Sequence, residues 1–506
     1  MMAGIDFIVD RITMYRLVLY VLIGLLGIAV ILAYFKVLAF SPISLIVTTG
    51  LLVGICWATN TILARVFDVA ANVESSYITA LILALIIDPA STPAALQFPG
   101  WAAILAISSK YILARNNKHI FNPAAIAVVL TSLVLGESAS WWVGTASMLP
   151  AVLIGGVLVV RKLRQADMVW SFCAAAIAGV SLVSLVMGES VLAALKQLLL
   201  QSPLLFFAVI MLTEPLTAPP ISKMRQLYGL LVGILFIPQV HVATIYSTPE
   251  LALVAGNVFS YIVSPKQRLV LRLSKKNRLA PGIIDFVFKP AQKLSFVPGQ
   301  YMEFTLAHSS PDSRGNRRYF TLASSPTEQA VHLGIRFSER SSSYKNALQH
   351  MENGERIVAA QLAGDFTLPR DPSRKLVFIA GGIGITPFRS MVKYLLDTRQ
   401  RLDIVLLYVN RRADEIVYTD VFSAAQTRIG LKPYYILTDL AAIPRNWPGL
   451  VGRISEKMIM EAIPDFDDRM YYISGPPSMV RASEQVLKHM GIQSHLIKKD
   501  FFPGLV

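Results

Sequence analysis

Hydropathy divides this chain in two. Residues 14 to 264 are nearly continuous apolar runs broken by short loops, whereas from Lys266 onward charges recur every few residues. With 54% hydrophobic residues over 506 positions and a mean hydropathy of +0.53, the chain is too apolar to be wholly soluble. A boundary near Ser264-Pro265-Lys266 therefore separates a membrane half from a soluble half of ordinary two-domain size. The net charge of +15 is assigned to basic loops beside the membrane and to anionic cofactor sites. No nucleic-acid-binding motif accompanies it, so nucleic acid is not an expected partner.

Cys56 and Cys173, the only cysteines, both lie inside apolar segments. Two thiols cannot hold an iron–sulfur cluster and do not make a disulfide framework, and no metal site is read elsewhere. The apolar run from Tyr15 to Phe40 is long enough to span a bilayer and no small-residue cleavage site follows it. It is read as a helix rather than a cleavable signal.

Apolar periodicity predicts ten helices, at about 14–39, 43–67, 76–88, 99–115, 121–137, 143–160, 168–187, 190–213, 226–246 and 250–264. With the N-terminus in the cytoplasm, the inner loops collect Arg11, Arg16, Arg65, Lys110, Arg115, Lys118, Arg161, Lys162, Arg164, Lys223, Arg225, Lys266 and Arg268. The outer side receives little beyond Lys36, with Glu137, Glu189 and Glu250. That asymmetry follows the positive-inside rule and returns the chain to the cytoplasm at residue 265, where nicotinamide nucleotides are. The expected location is the cell (inner) membrane, multi-pass, with the soluble half cytoplasmic.

An internal repeat is visible. Asp88-Pro89-Ala90-Ser91-Thr92-Pro93 matches Glu214-Pro215-Leu216-Thr217-Ala218-Pro219, each ending an apolar run. The two runs are the third helices of two five-helix halves, which an odd count relates by inversion. Inverted repeats of this kind place binding sites between the halves. Asp88 and Glu214 are therefore candidate membrane-site residues, beside the bland reading that Asp-Pro and Glu-Pro merely stop helices.

Lys118-His119-Ile120-Phe121-Asn122-Pro123-Ala124-Ala125, followed about 90 residues later by Leu212-Thr213-Glu214-Pro215-Leu216-Thr217-Ala218-Pro219, resembles the NqrB/RnfD family of flavin-bearing membrane subunits. The resemblance implies ten helices in an inverted five-plus-five arrangement, electron transfer across the bilayer, and Asn122 as a third site candidate. The threonine that carries covalent FMN in that family has no match. The connection where it would lie shrinks to about Gly136–Val143, and Gly144-Thr145-Ala146-Ser147 is a poor substitute. A non-covalent FMN or riboflavin, or a quinone, remains open. Haem is not expected, because the membrane half offers only His119 and His241.

In the soluble half, alternating strands such as Arg268–Leu273 and Ile283–Phe288 predict a small antiparallel barrel over 266–372. Buried-strand runs at Leu376–Ala380, Leu402–Tyr408 and Met470–Ser474 predict an α/β parallel-sheet domain over 373–506. The membrane domain then occupies 1–265. Three pieces stand in order: Arg318-Tyr319-Phe320-Thr321, Gly381-Gly382-Ile383-Gly384-Ile385-Thr386-Pro387 and Gly475-Pro476-Pro477. A glycine loop after a strand and before a helix lets backbone approach a phosphate at the helix N-terminus.

These pieces resemble the ferredoxin–NADP reductase superfamily over roughly the last 240 residues. The resemblance implies FAD held by Arg318 at its pyrophosphate, stacked on Phe320 (or Tyr319 if the register slips by one), with Thr321 at flavin N5. Arg336 and the Ser341–Tyr344 run, Ser342 and Ser343 in particular, resemble the loop that receives the FAD phosphates. Gly381, Gly382, Gly384, Thr386, Gly475 and Pro476 would receive NAD(P)H, with Ser474 where relatives often carry cysteine. Thr321, Thr386 and Ser474 are the expected catalytic positions, and Phe502 is the expected flavin cover. Asn410–Glu415 is the expected region of NADH-versus-NADPH choice, and NADH is favoured because the membrane family implies it.

The reading is a membrane-bound NAD(P)H dehydrogenase that passes electrons from FAD to a quinone, a membrane flavin or an extracytosolic acceptor, with ion coupling left open. The alternatives are a transporter with a redox-sensing reductase domain and a membrane-anchored flavin reductase. Expected partners are the lipid bilayer, NAD(P)H and the electron acceptor, and oligomerisation is left open.

Overall fold

Three helix starts in the first half are written alike: a short polar side chain, then proline. In Ser41-Pro42, Asn122-Pro123 and Thr248-Pro249 the polar side chain accepts from backbone N–H groups of the first turn. Proline beside it gives up an N–H that has no helical partner there. The computed structural model describes residues 14–67, 73–115, 118–163, 165–242, 245–264, 269–308, 312, 316–338 and 341–500. The chain divides into two units, the first ending at Ser264 and the second running from Pro265 to Phe502.

In the first unit the helices are α1 (Met14–Tyr34), α2 (Pro42–Val66), α3 (Val73–Ile86), α4 (Gln97–Ile112), α5 (Pro123–Leu135), α6 (Leu149–Leu163) and α7 (Ala166–Met187). They continue with α8 (Val191–Leu200), α9 (Leu204–Met211), α10 (Ser222–Leu235) and α11 (Pro249–Val263). A hairpin, β1 (Ala114–Arg115) with β2 (Lys118–His119), joins α4 to α5, and another, β3 (His241–Val242) with β4 (Ile245–Tyr246), joins α10 to α11. Packing repeats with the connectivity: α2 on α4 and α7 on α10, α1 on α3 and α6 on α9, α4 on α5 and α10 on α11. The halves meet through α1 against α6 and α5 against α11.

Several boundaries differ from expectation. The eighth helix breaks into α8 and α9, bent by 59°, at Gln201-Ser202-Pro203, and α9 continues as π-helix over Phe207–Met211. The missing N–H of Pro203 and the poor fit of proline inside a helix account for the break. The expected helix over 226–246 ends at Leu235 because Pro238 follows, and the β3–β4 strands lie where its last residues were expected. Among the described residues only α1, α2 and α7 are long and apolar enough to cross a bilayer, or four spans if α8 and α9 are one. Helices α3, α5 and α11 are apolar but have only 14, 13 and 15 residues, against the ~20 needed for a full crossing.

The second unit stacks two sheets. Strands β5 (Leu269–Ala280), β6 (Ile283–Pro290), β7 (Tyr301–Thr305), β8 (Arg317–Thr321), β9 (Val331–Arg336) and β10 (Arg356–Ala363) form an antiparallel sheet in the order β8-β7-β10-β5-β6-β9. Inward residues of every strand share one core around Phe286, Phe288, Phe304 and Leu333. The expected barrel is not closed by strand pairing among the described residues; β8 and β9 are linked just past the strand end, by Ala323 N–H donating to His332 O at 2.9 Å. Helix α12 (Ser343–His350) lies between β9 and β10.

The following layer is parallel throughout: β14 (Leu450–Val451), β13 (Lys432–Leu437), β12 (Ile404–Asn410), β11 (Lys375–Gly381), β15 (Arg469–Ser474) and β16 (Ile497–Lys499), in that spatial order. Leu376, Phe378 and Ala380 of β11 face one core, and Val377 and Ile379 face the other. Helices α13 (Thr386–Thr398), α14 (Thr419–Ile429), α15 (Glu456–Ala462) and α16 (Pro477–His489) connect the strands. Strand order reverses between β11 and β15, and the crevice at such a reversal is where open α/β sheets bind nucleotides.

Candidate active site

Glycine decides the geometry at that crevice. Ala380 pairs with Ser474, so β11 and β15 end side by side. A Cβ on Gly384 would stand 2.5 Å from Ser474 O and 2.6 Å from Gly475 Cα, both backbone. A Cβ on Gly475 would stand 3.0 Å from Gly381 Cα, and one on Gly381 would strike the Met479 sulfur and reach Pro476 Cδ at 3.0 Å. Gly382 takes φ +52 beside the Arg336 guanidinium, a conformation open to glycine at little cost. Gly381, Gly382, Gly384, Gly475 and Pro476 thus form one cradle, closed by Thr386 at the start of α13. This cradle fits a dinucleotide pyrophosphate: backbone can come close, and a helix N-terminus follows.

A second observation supports the fit. Asn410 ends β12 at the same edge and is 3% exposed. It lies near the Tyr408 hydroxyl, yet neither of its amide atoms attains hydrogen-bond geometry. A buried amide without a partner is costly unless a ligand supplies one.

The expected catalytic hydroxyls are buried at strand and helix ends. Thr386 Oγ1 donates to Ile383 O at 3.2 Å. Ser474 Oγ donates to Asp500 Oδ2 at 2.9 Å, so the acidic residue of the tail is the partner of Ser474. The Thr321 hydroxyl has no protein partner among the described residues. Gly334 on β9 lets the two layers touch, for a Cβ there would stand 2.5 Å from Tyr418 Oη and 2.9 Å from Thr386 Cγ2.

Arg318 and Phe320 share one face of β8, and Tyr319 and Thr321 the other, as strand alternation requires. Arg318 lies over the Tyr344 ring at 5.2 Å and pairs with Asp312 at 3.3 Å. Phe320 sits between Phe304 and Tyr344, with ring centroids 5.9 and 6.0 Å away. Tyr319 instead meets Tyr301 edge-on at 5.7 Å. The two aromatics face opposite ways, so one flavin ring can rest on only one of them. Ser342 caps α12 by accepting from Lys345 N–H at 3.2 Å. Ser343 Oγ accepts from Asp312 N–H at 2.8 Å and meets His308 Nε2 at 3.1 Å. Ser343 N–H also donates to Asp312 Oδ2 at 3.3 Å, so the α12 N-terminus and Arg318 hold the Asp312 carboxylate between them.

Arg336 Nη2 donates to Glu415 Oε1 at 2.6 Å, and its Nη1 lies beside Gly382 of the cradle. Phe502 lies outside the described residues.

In the first unit the three candidates part company. Glu214, just past α9, accepts from His119 Nε2 at 3.0 Å and from Thr217 Oγ1 at 3.2 Å. Lys110 interacts electrostatically with Glu214 and donates to Ser75 O at 2.9 Å and Ser75 Oγ at 3.0 Å. Asn122 uses its side-chain oxygen to cap α5, while its N–H donates to Asn257 Oδ1 at 2.8 Å. Asp88 is exposed, away from any described partner. The repeat therefore places Asp88 and Glu214 equivalently in the chain, but only Glu214 joins a polar cluster. Sequence reasoning missed the buried Glu250, which accepts from Trp141 Nε1 at 2.9 Å. It also missed Trp142, whose Nε1 donates to Ala84 O and Ile87 O at the end of α3.

Residues 378–485 match the family described as the oxidoreductase NAD-binding domain. The second unit thus contains an oxidoreductase NAD-binding domain over those residues. The module is similar to the stachydrine N-demethylase reductase subunit Stc4 of Rhizobium meliloti, 28% identical over 216 residues, or 42% of this chain and 60% of that relative. It is also similar to the glycine betaine monooxygenase reductase subunit of Chromohalobacter salexigens, 26% identical over 211 residues, 41% of this chain and 56% of the relative. A solved ferredoxin NADP+ reductase from Neisseria gonorrhoeae with bound FAD and NADP aligns at 19% identity and a TM-score of 0.41, over 47% of this chain and 99% of that one. The chain thus spans under two thirds of the length of these curated relatives, and the matches to both reductase subunits cover less than half of it.

Proposed function

We propose that this chain is a membrane-embedded NADH dehydrogenase in which the reductase module serves a quinone-class acceptor in the helical unit. FAD, when bound, would supply a two-electron acceptor for hydride that can pass the two electrons on one at a time, the proton leaving separately. The observation that carries the reading is the union in one chain of the glycine cradle with a repeated apolar helical unit.

The membrane assignment draws on the outward faces of the helices. Ile23, Ile28, Ile31, Ile46 and Leu182 are exposed on helices long enough to span. Large apolar side chains exposed along such helices suit lipid rather than water. Shorter helices such as α3 and α5 suit a ten-helix NqrB/RnfD-like arrangement in which short segments are enclosed by longer ones. The basic inner loops favour a cytoplasmic reductase module.

In the module, Arg318 would hold the FAD pyrophosphate, Phe320 the flavin face and Thr321 its N5. Thr386 and Ser474 would border the nicotinamide. At the end of β13 the carboxylate of Asp439 has no described partner, and a carboxylate there accepts from ribose hydroxyls and repels a 2′-phosphate. NADH is therefore the favoured donor. In the helical unit, His119 Nε2 and Glu214 Oε1 form a pair able to hold and pass a proton, which quinone reduction requires.

Arg318→Ala in the full chain tests the FAD assignment. Loss of a charge-assisted contact worth about 1.5–3 kcal/mol is expected to weaken FAD retention about 10- to 100-fold, read as flavin per chain after gel filtration. Unchanged flavin content would remove Arg318 from the site.

A further inference from the structure

Thr321 closes β8 and Thr386 opens α13, so the two residues expected to face flavin and nicotinamide come from different layers of the second unit. Nothing in either sheet's register fixes their separation. Side chains on α13 do. Arg389, one turn beyond Thr386, is 7% exposed. Its Nη2 donates to Glu328 Oε1 at 2.9 Å, its Nη1 pairs with Glu328 Oε2, and Nη1 also donates to Ala323 O at 3.0 Å. Its neighbour Ser390 donates from Oγ to Ser324 O at 2.6 Å. Glu328 is held in turn, accepting from Ser325 N–H at 2.6 Å.

All these contacts fall on residues 323–328, the segment that leaves Thr321. On its other side Arg389 lies over the Tyr418 ring at 5.7 Å. Tyr418 Oη donates to Asp285 Oδ1 at 3.3 Å, and His332 Nδ1 donates to Asp285 Oδ2 at 2.8 Å. Asp285 and His332 belong to β6 and β9, so the antiparallel sheet grips α13 from two directions. A bidentate guanidinium–carboxylate pair fixes angle as well as distance, which a lysine cannot reproduce.

We infer that Arg389, Glu328 and Ser390 are positioning residues, a clamp that sets the gap between the nicotinamide at Thr386 and the flavin at Thr321. The inference rests on the hydride-transfer reading given above. None of the three touches either ring; they act through the segment carrying Thr321 and the helix turn carrying Thr386. A displacement of about 1 Å between reacting groups costs on the order of 100-fold in rate. The clamp should therefore govern the transfer step and leave binding nearly alone.

The test uses the FAD-loaded full chain in detergent, as wild type, Glu328→Gln, Arg389→Lys and Ser390→Ala. Flavin reduction is followed by anaerobic stopped flow with NADH and with NADH deuterated at C4. Glu328→Gln and Arg389→Lys are expected to slow reduction about 10- to 100-fold, with FAD content and NADH Kd within about twofold of wild type and a larger isotope effect. Ser390→Ala, which removes one hydrogen bond, is expected to slow it about 2- to 12-fold and serves if the charge variants fold poorly. Hydrogen exchange on the flavin-free protein supplies a readout without turnover: amides at 322–328 and 386–390 should lose protection together. Reduction at the wild-type rate in variants whose exchange shows the clamp broken overturns the inference, as does a fall fully explained by lost FAD. A wild-type chain whose flavin NADH does not reduce overturns instead the functional reading beneath it.

Discussion

Gly384→Ala is expected to slow flavin reduction by NADH about 100-fold while FAD stays bound. The new methyl would stand 2.5 Å from Ser474 O and 2.6 Å from Gly475 Cα, and both neighbours are backbone with no rotamer to yield. Relief must come from moving the loop over 382–385 or the Ser474–Gly475 turn, and either motion opens the crevice between β11 and β15. Overpacking of this kind costs about 1–3 kcal/mol of stability, which a folded domain can survive. The nicotinamide is the group displaced, and misplacement by about 1 Å suffices for a 100-fold loss. Flavin content and melting temperature are the controls, and stopped-flow reduction is the measurement. Wild-type rates in the Gly384→Ala variant would mean that the cradle does not receive the nucleotide.

Glu214→Gln should separate the two halves of the reaction. NADH reduction of the flavin is expected to stay within about twofold of wild type, because no part of the hydride site is altered. Quinone reduction is expected to fall about 100-fold, the low end of what loss of a general acid–base group costs. The amide keeps the shape of the contacts to His119 and Thr217 but carries no negative charge for Lys110. Flavin should then accumulate in its reduced form under turnover with NADH and quinone, visible directly by absorbance. Unchanged quinone turnover would remove Glu214 from the acceptor site, leaving the His119 pair as a structural contact.

What was legible in the sequence shares one property: each signal is local. Gly381-Gly382-Ile383-Gly384 and Gly475-Pro476 stand out because close backbone approach tolerates only small residues at fixed spacing. Arg318 through Thr321 stands out because one strand must present a cation, an aromatic and a hydroxyl in order. The apolar helices are readable because burial in either lipid or protein demands the same residues. The run lengths were legible too: 14–39 is long enough to span and 76–88 is not, as the 14 residues of α3 bear out.

Contacts between distant residues left no trace. Arg389 and Glu328 are 61 positions apart and Trp141 and Glu250 are 109 apart, and neither pair follows any period. The β1–β2 and β3–β4 hairpins have two residues per strand, shorter than any alternation can reveal. Asp88 and Glu214 look equivalent as motifs, yet only Glu214 meets a histidine and a lysine. Arg336 pairs with Glu415, 79 positions away. A charge's partner is set by tertiary approach, which its neighbours in sequence do not encode.

Electron transfer from the reductase module to quinone is tested most directly by reoxidation of the flavin in the intact chain. The full-length protein, reconstituted in lipid with FAD, is reduced anaerobically with one equivalent of NADH and then mixed with a short-chain quinone. The flavin absorbance should return in a single turnover, with one quinone reduced for each NADH consumed, and Glu214→Gln should slow that return about 100-fold. Flavin that stays reduced in the presence of quinone, or that returns equally fast in the Glu214→Gln variant, would contradict that expectation.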